Sequence, residues 1–463
     1  MTNDTSNADE TLPLAVRMNL LTKQIQDYYL LDSIPWVIGY SGGKDSTAVL
    51  QLVWYALKKL RPEQRHKPIH VITTDTMVEN PVVSAWVKSS HDRMDRARTE
   101  AAMPIRPHML YPDLAQTFWV NLIGRGYPSP RHKFRWCTER LKILPSNRFI
   151  REVVRSSGEA MLVLGTRRAE SSRRSANMEK HAQGRLRDRI SPNSKLPNSL
   201  VYTPIEDWTS NDVWQFLMQV PNPWGHSNRA LVSMYRGASD DNECPLVVDT
   251  TTPSCGNSRF GCWVCTLVER DKSMEAMITN DHEKEWMMPL LELRNELDEP
   301  DRDKRDYRRM NGRVHLYETL DDNGDRVVRP IPGPYRKEWR EHWLRRVLEA
   351  QEEAREEAPE DLRELELIRM EELHEIRRIW REEKHEFDDS LPRIYEQTTG
   401  RPFPRGIEDS SPLGAEEWEV LSEVCGSDEM LRDLSARLLN TARQYQGMAR
   451  RVGVHKAIDR ILE

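Results

Sequence analysis

A chain of 463 residues is long enough for two or three domains, and 31% charged with 38% apolar residues indicates a large solvated surface. It contains no run of 18 apolar residues, and residues 1–10 are polar and acidic rather than leader-like, so we expect a cytoplasmic protein without a membrane span. The net charge of −6 hides a basic stretch, because 131–190 has sixteen Lys or Arg against six Asp or Glu. That stretch predicts contact with a polyanion.

Predicted strands and helices alternate through the first half of the chain. Helices are predicted over 14–31, 47–60, 82–100 and 114–124, and strands over 34–40, 68–75, 105–110 and 161–165. This alternation predicts an α/β fold with a doubly wound, mostly parallel sheet covered on both faces. A Pro-, Asn- and Ser-rich stretch, 191–199, is predicted to be a surface loop.

The loop between the first strand and its helix is the main functional candidate. It reads Ser41, Gly42, Gly43, Lys44, Asp45, Ser46. Two adjacent glycines allow a sharp turn and a close approach to a ligand, while the amides and positive end of the following helix attract an anion such as phosphate. The spacing fits neither the Walker loop nor the dinucleotide fingerprint. An ordinary turn with a helix cap at Asp45 or Ser46 is the alternative.

SGGKDS resembles the pyrophosphate loop (PP-loop) of the ATP pyrophosphatases and their relatives, the phosphoadenylyl-sulfate reductases and the thiolases of RNA bases. These enzymes split ATP between its α and β phosphates. The resemblance implies that ATP is a cofactor and that the serines and glycines of 41–46 bind its pyrophosphate. It also implies catalytic roles for Lys44, which adds positive charge, and for Asp45.

The segment after the second strand resembles the one that borders the ATP site in this superfamily. Asp75 and Thr76 end that strand, and ligands of open α/β sheets bind at the carboxyl ends of strands. Asp75 or Glu79 could bind Mg²⁺ through water, or one of them could cap the next helix; the sequence leaves both open.

Two basic segments follow. Residues 135–138 (RWCT), with Lys142, are similar to a segment of the reductases. Thr138 occupies the position at which the cluster-bearing reductases have a second cysteine. Residues 165–173 (GTRRAESSR) resemble the family's G-x-R-x-x-E-S segment, which implies that Arg167, Arg168 and Arg173 meet phosphate of the nucleotide or of DNA. A solvated basic loop is the alternative.

Residues 204–214 (PIEDWTSNDVW) match a further signature of the same family. Physically this motif is the capped start of a helix. Thr209 or Ser210 is the predicted cap, Asp212 lies in the first turn, and Val213 faces the core. The motif reports the fold more than the chemistry.

Four of the six cysteines fall within 22 residues, which in a reducing compartment predicts metal or sulfur chemistry. Cys262 and Cys265 form a C-x-x-C pair that needs two further sulfurs to complete a metal site. The resemblance implies a [4Fe-4S] cluster on Cys137, Cys255, Cys262 and Cys265, with Cys244 left as a thiol. The rival set is the contiguous four, with Cys137 free to carry a persulfide, and zinc is the alternative metal.

We predict four segments: a tail and helix over 1–31, a nucleotide-binding domain over 32–225, a cysteine-rich iron-sulfur region over 226–300 and a charged helical accessory region over 301–463. The last of these is locally acidic, with eighteen Asp or Glu against ten Lys or Arg over 340–390. The family resemblance extends over 36–266.

The reductases carry an E-C-G-x-H tail whose cysteine attacks the substrate, whereas Cys425 is followed here by Gly-Ser-Asp, so we expect no reductase nucleophile. Residues 243–245 and 254–263 resemble the DndC branch, which serves bacterial DNA phosphorothioation. This implies ATP-dependent sulfur insertion into DNA with Mg²⁺, a cysteine desulfurase as donor, other Dnd-type subunits as partners, and Cys244 or Cys137 as a sulfur-carrying thiol. The alternatives are a tRNA-base thiolase, a phosphoadenylyl-sulfate reductase and a noncatalytic DNA-binding subunit.

Overall fold

The computed structural model describes residues 13–132, 134–170, 172–182, 184–238, 260–320, 324–404, 415–445 and 453–462. They divide into a first unit, Met1–Pro112 with His132–Met287, and a second unit, Asp113–Arg131 with Met288–Glu463. This division differs from the four predicted segments. Residues 260–287 group with the nucleotide-binding domain, and 113–131 group with the helices near the carboxyl terminus.

The first unit is built on a six-stranded sheet. Its strands are β1 (Trp36–Gly39), β2 (Ile69–Thr74), β3 (Ile105–Leu110), β4 (Ala160–Val163), β5 (Ile190–Pro192) and β6 (Ser199–Tyr202). The order is β3-β2-β1-β4-β6-β5, and all neighbours pair in parallel except β5 with β6. Trp36, Val37 and Ile38 are fully buried, because a central parallel strand is covered on both faces.

Helices cover both faces of this sheet. They are α1 (Leu14–Leu31), α2 (Lys44–Lys58), α3 (Pro81–Glu100), α4 (Leu144–Ser157), α5 (Ser172–Ala182), α6 (Ser210–Gln219), α7 (Asn228–Gly237) and α8 (Lys272–Asn280). The larger core lies on the face with α1, α2 and α6, and a smaller core with α4 lies on the other. The predicted doubly wound α/β fold is confirmed. Thr209 caps α6 as predicted, with its hydroxyl accepting from Asp212 N.

One prediction about local structure is confirmed in part, because the surface loop predicted over 191–199 covers 193–198, and another is wrong. The predicted loop 191–199 includes the last two residues of β5 and the first residue of β6. Both strands are too short for an alternation of apolar and polar residues to reveal them, and β5 also contains a proline. The predicted helix 114–124 is instead a 3₁₀ turn, Leu114–Gln116, and a π-helical turn, Val120–Gly124. The apolar run from Phe118 to Ile123 is buried, so it forms part of a core rather than an amphipathic surface helix.

The second unit is mainly helical, as predicted. Its elements are α9 (Met288–Asp298), β7 (Leu316–Leu320), β8 (Arg326–Pro330), α10 (Lys337–Glu357), α11 (Met370–Arg378), α12 (Ser390–Thr399), α13 (Ala415–Cys425), α14 (Glu429–Gln444) and α15 (Val454–Leu462). Trp119 Nε1 donates to Leu367 O at 2.7 Å and Trp380 Nε1 to Ile123 O at 3.0 Å. The antiparallel β7–β8 hairpin was not predicted.

None of the helices described here is long and apolar enough to span a membrane.

Candidate functional site

Residues 41–46 join β1 to α2 at the carboxyl edge of the parallel sheet. Ser46 Oγ donates to Gly43 O at 3.0 Å and accepts from Ser41 N at 3.2 Å, so the loop closes on the first turn of the helix. The residue before the helix is Gly43, and no side chain caps it. The alternative of a cap at Asp45 or Ser46 is therefore wrong. A helix start without a side-chain cap has backbone amides and a positive dipole end suited to an anion.

Gly42 is a position where only glycine fits. Its φ of +73° is in the left-handed region, and a Cβ there would lie 2.5 Å from Val87 Cγ2. The carbonyl of Gly42 accepts a hydrogen bond from Trp86 Nε1 at 3.2 Å. Helix α3 therefore supports the loop closely from behind, and this contact fixes the orientation of the Gly42 peptide.

The loop lines a cleft of about 990 Å³ within the first unit. Seven of the residues predicted for the nucleotide line it: Ser41, Gly42, Gly43, Lys44, Asp45, Asp75 and Arg167. Residues that were not predicted for the site also line it, among them Ser146, Asn147, Asn193, Lys195 and Tyr235. The cleft opens at the carboxyl ends of the parallel strands, where ligands of doubly wound sheets bind. Its volume is in the range of small-molecule and cofactor sites.

Lys44 contacts Tyr235 at the start of α2. Lys44 N donates to the Tyr235 hydroxyl at 3.3 Å, and Lys44 Nζ lies 5.3 Å from the centre of the Tyr235 ring. Burial raises the pKa of the Tyr235 hydroxyl well above its usual value, so the group stays neutral. Its oxygen therefore accepts from a helix-start amide without adding charge.

Arg167 is fully buried and contacts the loop rather than presenting a free guanidinium. Its Nε donates to Asp45 Oδ1 at 2.8 Å, and Nη1 and Nη2 donate to Trp208 O and Ser210 Oγ at 3.2 Å each. All three bonds join the segment after β4 to the starts of α2 and α6. A phosphate contact by Arg167 stays a prediction, and the geometry gives this residue a positioning role.

The other two predicted arginines are placed differently. Arg168 Nη2 lies 3.4 Å from Glu206 Oε1, and Arg168 Nε lies 3.2 Å from Asp207 Oδ1, with about a third of the side chain exposed. Arg173 is on α5, and its side chain lies outside the described part of the chain. Contact of either residue with phosphate stays a prediction.

The segment after β2 is organised by short polar contacts. Asp75 Oδ1 accepts from Met77 N at 2.8 Å, and Thr76 Oγ1 donates to Glu79 Oε1 at 3.0 Å. The cap of α3 is Asn80, whose side chain accepts from Val82 N at 3.0 Å. The alternative that Asp75 or Glu79 caps this helix is therefore wrong. Thr76 is buried and does not line the cleft.

Cys262 lies directly beside this segment. It forms an antiparallel bridge with Glu79, and its sulfur is 3.3 Å from Thr76 Oγ1 and 3.8 Å from Glu79 Oε1. Lys142 Nζ pairs with Glu79 Oε1 at 3.2 Å. Burial, with the Glu79 carboxylate, raises the pKa of Cys262 to about 12, so this sulfur is a thiol at neutral pH unless it binds a metal.

Two further cysteines of the predicted ligand sets, Cys137 and Cys265, lie within the described residues. Cys265 N donates to Cys262 O at 3.1 Å in a tight turn, and burial raises the pKa of Cys137, with Cys265 adding to it. Within the described residues no three His, Cys, Asp or Glu side chains are grouped to bind a metal ion. Cys244 and Cys255 lie outside those residues, so both predicted ligand sets stay predictions.

Tyr235, Trp86 and Lys195 are candidate site residues that the sequence did not reveal. Tyr235 and Trp86 belong to amphipathic helices, where the helical period alone indicates core packing. Lys195 follows Asn193 in the predicted surface loop, and Asn193 Oδ1 accepts from Lys195 N at 3.0 Å. The polar residues of this stretch predicted a turn, but nothing in the sequence indicated that the turn lines the same cleft as residues 41–45.

Comparison with known protein families identifies a matching domain. Residues 35–267, half of the chain, match the model of the phosphoadenosine phosphosulfate reductase domain. An uncharacterised protein of Methanocaldococcus jannaschii is 26% identical over 275 residues, which cover 57% of this chain and 44% of the relative. The chain thus spans less than half the length of this curated relative.

Solved structures show weaker similarity. Phosphoadenylyl-sulfate reductase from Candida auris, in a phosphate complex, is 12% identical with a TM-score of 0.29, over 44% of this chain and 87% of that one. FMN adenylyltransferase from Candida glabrata is 12% identical with a TM-score of 0.28, over 50% of this chain and 65% of that one. TM-scores this low support no argument about fold or function.

Proposed function

The chain belongs to the phosphoadenosine phosphosulfate reductase domain family, and from this premise we propose that it uses ATP to insert sulfur into the DNA backbone. Members of this family act on adenine nucleotides, which supports ATP as the ligand. The observation that carries the proposal is the loop 41–46. It combines a position that accepts only glycine, a helix start without a side-chain cap and a lysine on one edge of a large cleft.

Exchange of a nonbridging phosphate oxygen for sulfur requires activation because oxide is a poor leaving group. In the proposed first step, a nonbridging oxygen of the DNA phosphate attacks the α phosphorus of ATP, and pyrophosphate leaves. In the second step, a sulfur nucleophile attacks the DNA phosphorus. The bond to the activated oxygen breaks, and that oxygen departs in AMP.

The residues of the chain have distinct proposed roles in the first step. The amides of 41–46 and the ammonium group of Lys44 stabilise the negative charge that develops on the leaving pyrophosphate. Asp45, fixed by Arg167, holds the first turn of α2 in place. Mg²⁺, when bound with the ATP, would screen the phosphate charge. Arg168 and Arg173 remain the residues proposed to contact the DNA phosphate.

Sulfur is proposed to arrive as a persulfide on Cys137 or Cys244, supplied by a cysteine desulfurase, with other Dnd-type subunits as partners. The terminal sulfur attacks the DNA phosphorus as AMP leaves. A second thiol then attacks the inner sulfur, which leaves a disulfide on the protein and a phosphorothioate on the DNA. A thiol reductant returns the disulfide to thiols. A [4Fe-4S] cluster, if bound, would be held by Cys137, Cys255, Cys262 and Cys265.

An oxygen-tracing experiment tests this order of bonds. DNA whose nonbridging phosphate oxygens are ¹⁸O is incubated with the protein, its desulfurase and Dnd-type partners, cysteine, a thiol reductant and ATP. The proposal predicts one ¹⁸O-labelled AMP for each phosphorothioate formed. Phosphorothioate formation with unlabelled AMP would contradict it, and so would sulfur appearing in tRNA while DNA stays unmodified.

A further inference from the structure

A second feature of the molecule is a cluster of arginines in the second unit. Residues 307–317 (YRRMNGRVHLY) contain three arginines, a histidine and two tyrosines, and no Asp or Glu. Every residue of this stretch is exposed. Within the described residues, none of the guanidinium groups of Arg308, Arg309 and Arg313 pairs with a carboxylate. We call residues 308–313 the arginine turn.

The arginine turn has a defined backbone. Arg309 N donates to Arg313 O at 2.9 Å, and Gly312 N donates to Arg309 O at 2.8 Å. Gly312 has a φ of +75°, and Asn311 Oδ1 accepts from Arg313 N at 3.2 Å. The three guanidinium groups therefore extend from one tight turn. Binding costs less conformational entropy for such an ordered turn than for a flexible basic tail.

The turn is also fastened to the rest of its unit. Gly333 N donates to Asp306 O at 2.7 Å, and a Cβ at Gly333 would lie 1.6 Å from Arg308 O. Arg305 adds two bonds, from Nε to Gly333 O and from Nη2 to Pro332 O, both at 2.7 Å. The main chain of Arg308 thus lies against a glycine that has no room for a side chain.

The surroundings of the turn supply what a polyanion needs. Tyr307 and Tyr317 offer exposed rings, and the Arg308 guanidinium lies 5.4 Å from the centre of the Tyr307 ring. One guanidinium group can donate two hydrogen bonds to the oxygens of a phosphate, and it can stack on planar groups. Arginines beside exposed tyrosine rings therefore suit nucleic acid. The helices over 340–390 of the same unit are acidic, with eighteen Asp or Glu against ten Lys or Arg, and would repel the same ligand.

We propose that the arginine turn is a docking surface for the phosphate backbone of duplex DNA. The choice of DNA as the polyanion rests on the proposed function, whereas the surface itself rests on the geometry of the turn. Arg308, Arg309 and Arg313 each contact a phosphate, and they position the duplex without reading its sequence.

The test compares the full chain with a triple variant, Arg308→Gln, Arg309→Gln and Arg313→Gln, by fluorescence anisotropy with a labelled 30-base-pair duplex over a salt series. The expected affinity loss at 100 mM salt is about tenfold or more, and the slope of log K against log salt should become shallower by about 2 to 3, since each lost contact removes about 0.9. The control makes the same change of charge at three other exposed arginines of this unit: Arg345→Gln, Arg363→Gln and Arg393→Gln.

A second variant, Gly333→Ala, displaces the turn without changing charge, and it should weaken DNA binding while the far-ultraviolet spectrum stays unchanged. Equal affinities for the wild type and the triple variant, or an equal loss in the control, would overturn the proposal. Capture of an acidic protein but not of DNA would overturn it too. Binding of ATP without DNA, and release of PPi with DNA present, are measured in parallel. If ATP binding or PPi release fails while the arginine turn still binds DNA, the proposed function fails alone.

Discussion

Arg167 Nε donates to Asp45 Oδ1 at 2.8 Å, which ties the segment after β4 to the first turn of α2. The Arg167 side chain is 2% exposed and that of Asp45 is 23% exposed, so the pair is largely shielded from water. Gly165 allows this approach, since a Cβ there would lie 2.9 Å from Asp45 O. The loop 41–46 is therefore held by Arg167, which follows Asp45 by 122 positions.

Arg167→Met should lower the free energy of unfolding by about 2–4 kcal/mol, because it leaves Asp45 and two further acceptors without their donor. It should also reduce PPi release from ATP, because the first turn of α2 loses the hydrogen bond from Arg167 that holds Asp45 in place. Urea unfolding and a PPi assay measure the two effects. Arg168→Met is the control for stability, and because that side chain is a third exposed, its effect on the free energy of unfolding should stay within about 1 kcal/mol. Equal losses of stability in the two variants would contradict the bracing role of Arg167.

Gly42→Ala should abolish nucleotide binding. The added Cβ would lie 2.5 Å from Val87 Cγ2 in a left-handed backbone, so the loop must move away from α3. The control is Gly158→Ala, which has a comparable φ of +82° but nothing within 4 Å of the added atom. We expect both variants to lose about 1 kcal/mol from backbone strain, and only Gly42→Ala to lose ATP binding by calorimetry. ATP binding by Gly42→Ala at wild-type affinity would contradict the site.

Tyr235→Phe removes the acceptor for Lys44 N but keeps the ring beneath the ammonium group. Without nucleotide, the part-buried Lys44 amide then loses this hydrogen bond, and the protein should lose about 1 kcal/mol of stability. A bound phosphate would satisfy the amide again. The variant should therefore show a larger rise in Tm on adding an ATP analogue than the wild type does. A smaller rise would indicate that the Tyr235 hydroxyl contacts the nucleotide itself.

The stability of the first unit should fall in mild acid. Burial lowers the pKa of His91 to about 4, and its Nε2 lies 2.7 Å from Thr73 Oγ1, which in turn donates to Tyr40 O at 2.6 Å. Between pH 6.5 and 4 the unfolded chain binds the proton and the folded protein does not, so the stability contribution is full above pH 6.5 and declines towards pH 4. The decline attributable to His91 is on the order of 3 kcal/mol.

His91→Gln removes this titrating group, and the comparison with wild type separates His91 from other buried histidines such as His70 and His226. Unfolding in urea at a series of pH values measures the difference. The variant should be less stable at pH 7 and should lose less stability on acidification. Parallel curves for the two proteins would show that the pKa of His91 is the same in the folded and unfolded states, which would contradict the lowered pKa.

The part of the site that could be predicted from the sequence is local. A buried strand, two glycines and an amphipathic helix lie within a few dozen residues, so their periods and the loop between them predicted the position of residues 41–46. The same reasoning predicted β1 to β4, α1 to α3 and the capped start of α6. The family resemblance over 36–266 is confirmed at the level of the domain family.

Long-range contacts explain what the sequence could not predict. Lys44 and Tyr235 are 191 residues apart and share no motif, so only the fold shows that they meet. Arg167 carries a family motif, but its charge alone could not distinguish a partner such as Asp45 from a phosphate. The arginine turn was missed because the charge of the surrounding region indicated solvated helices, and a turn of six residues has no period to detect.

The product of ATP cleavage tests the central claim most directly, which is that residues 41–46 bind the pyrophosphate of an ATP that is split between its α and β phosphates. The purified protein is incubated with ATP labelled at the α and γ phosphorus, duplex DNA and its sulfur-donor partners, and the nucleotide and phosphate products are separated. We predict AMP and PPi in equal amounts, and their loss in Gly42→Ala but not in Gly158→Ala. Formation of ADP and phosphate, or unchanged PPi release by Gly42→Ala, would contradict the account.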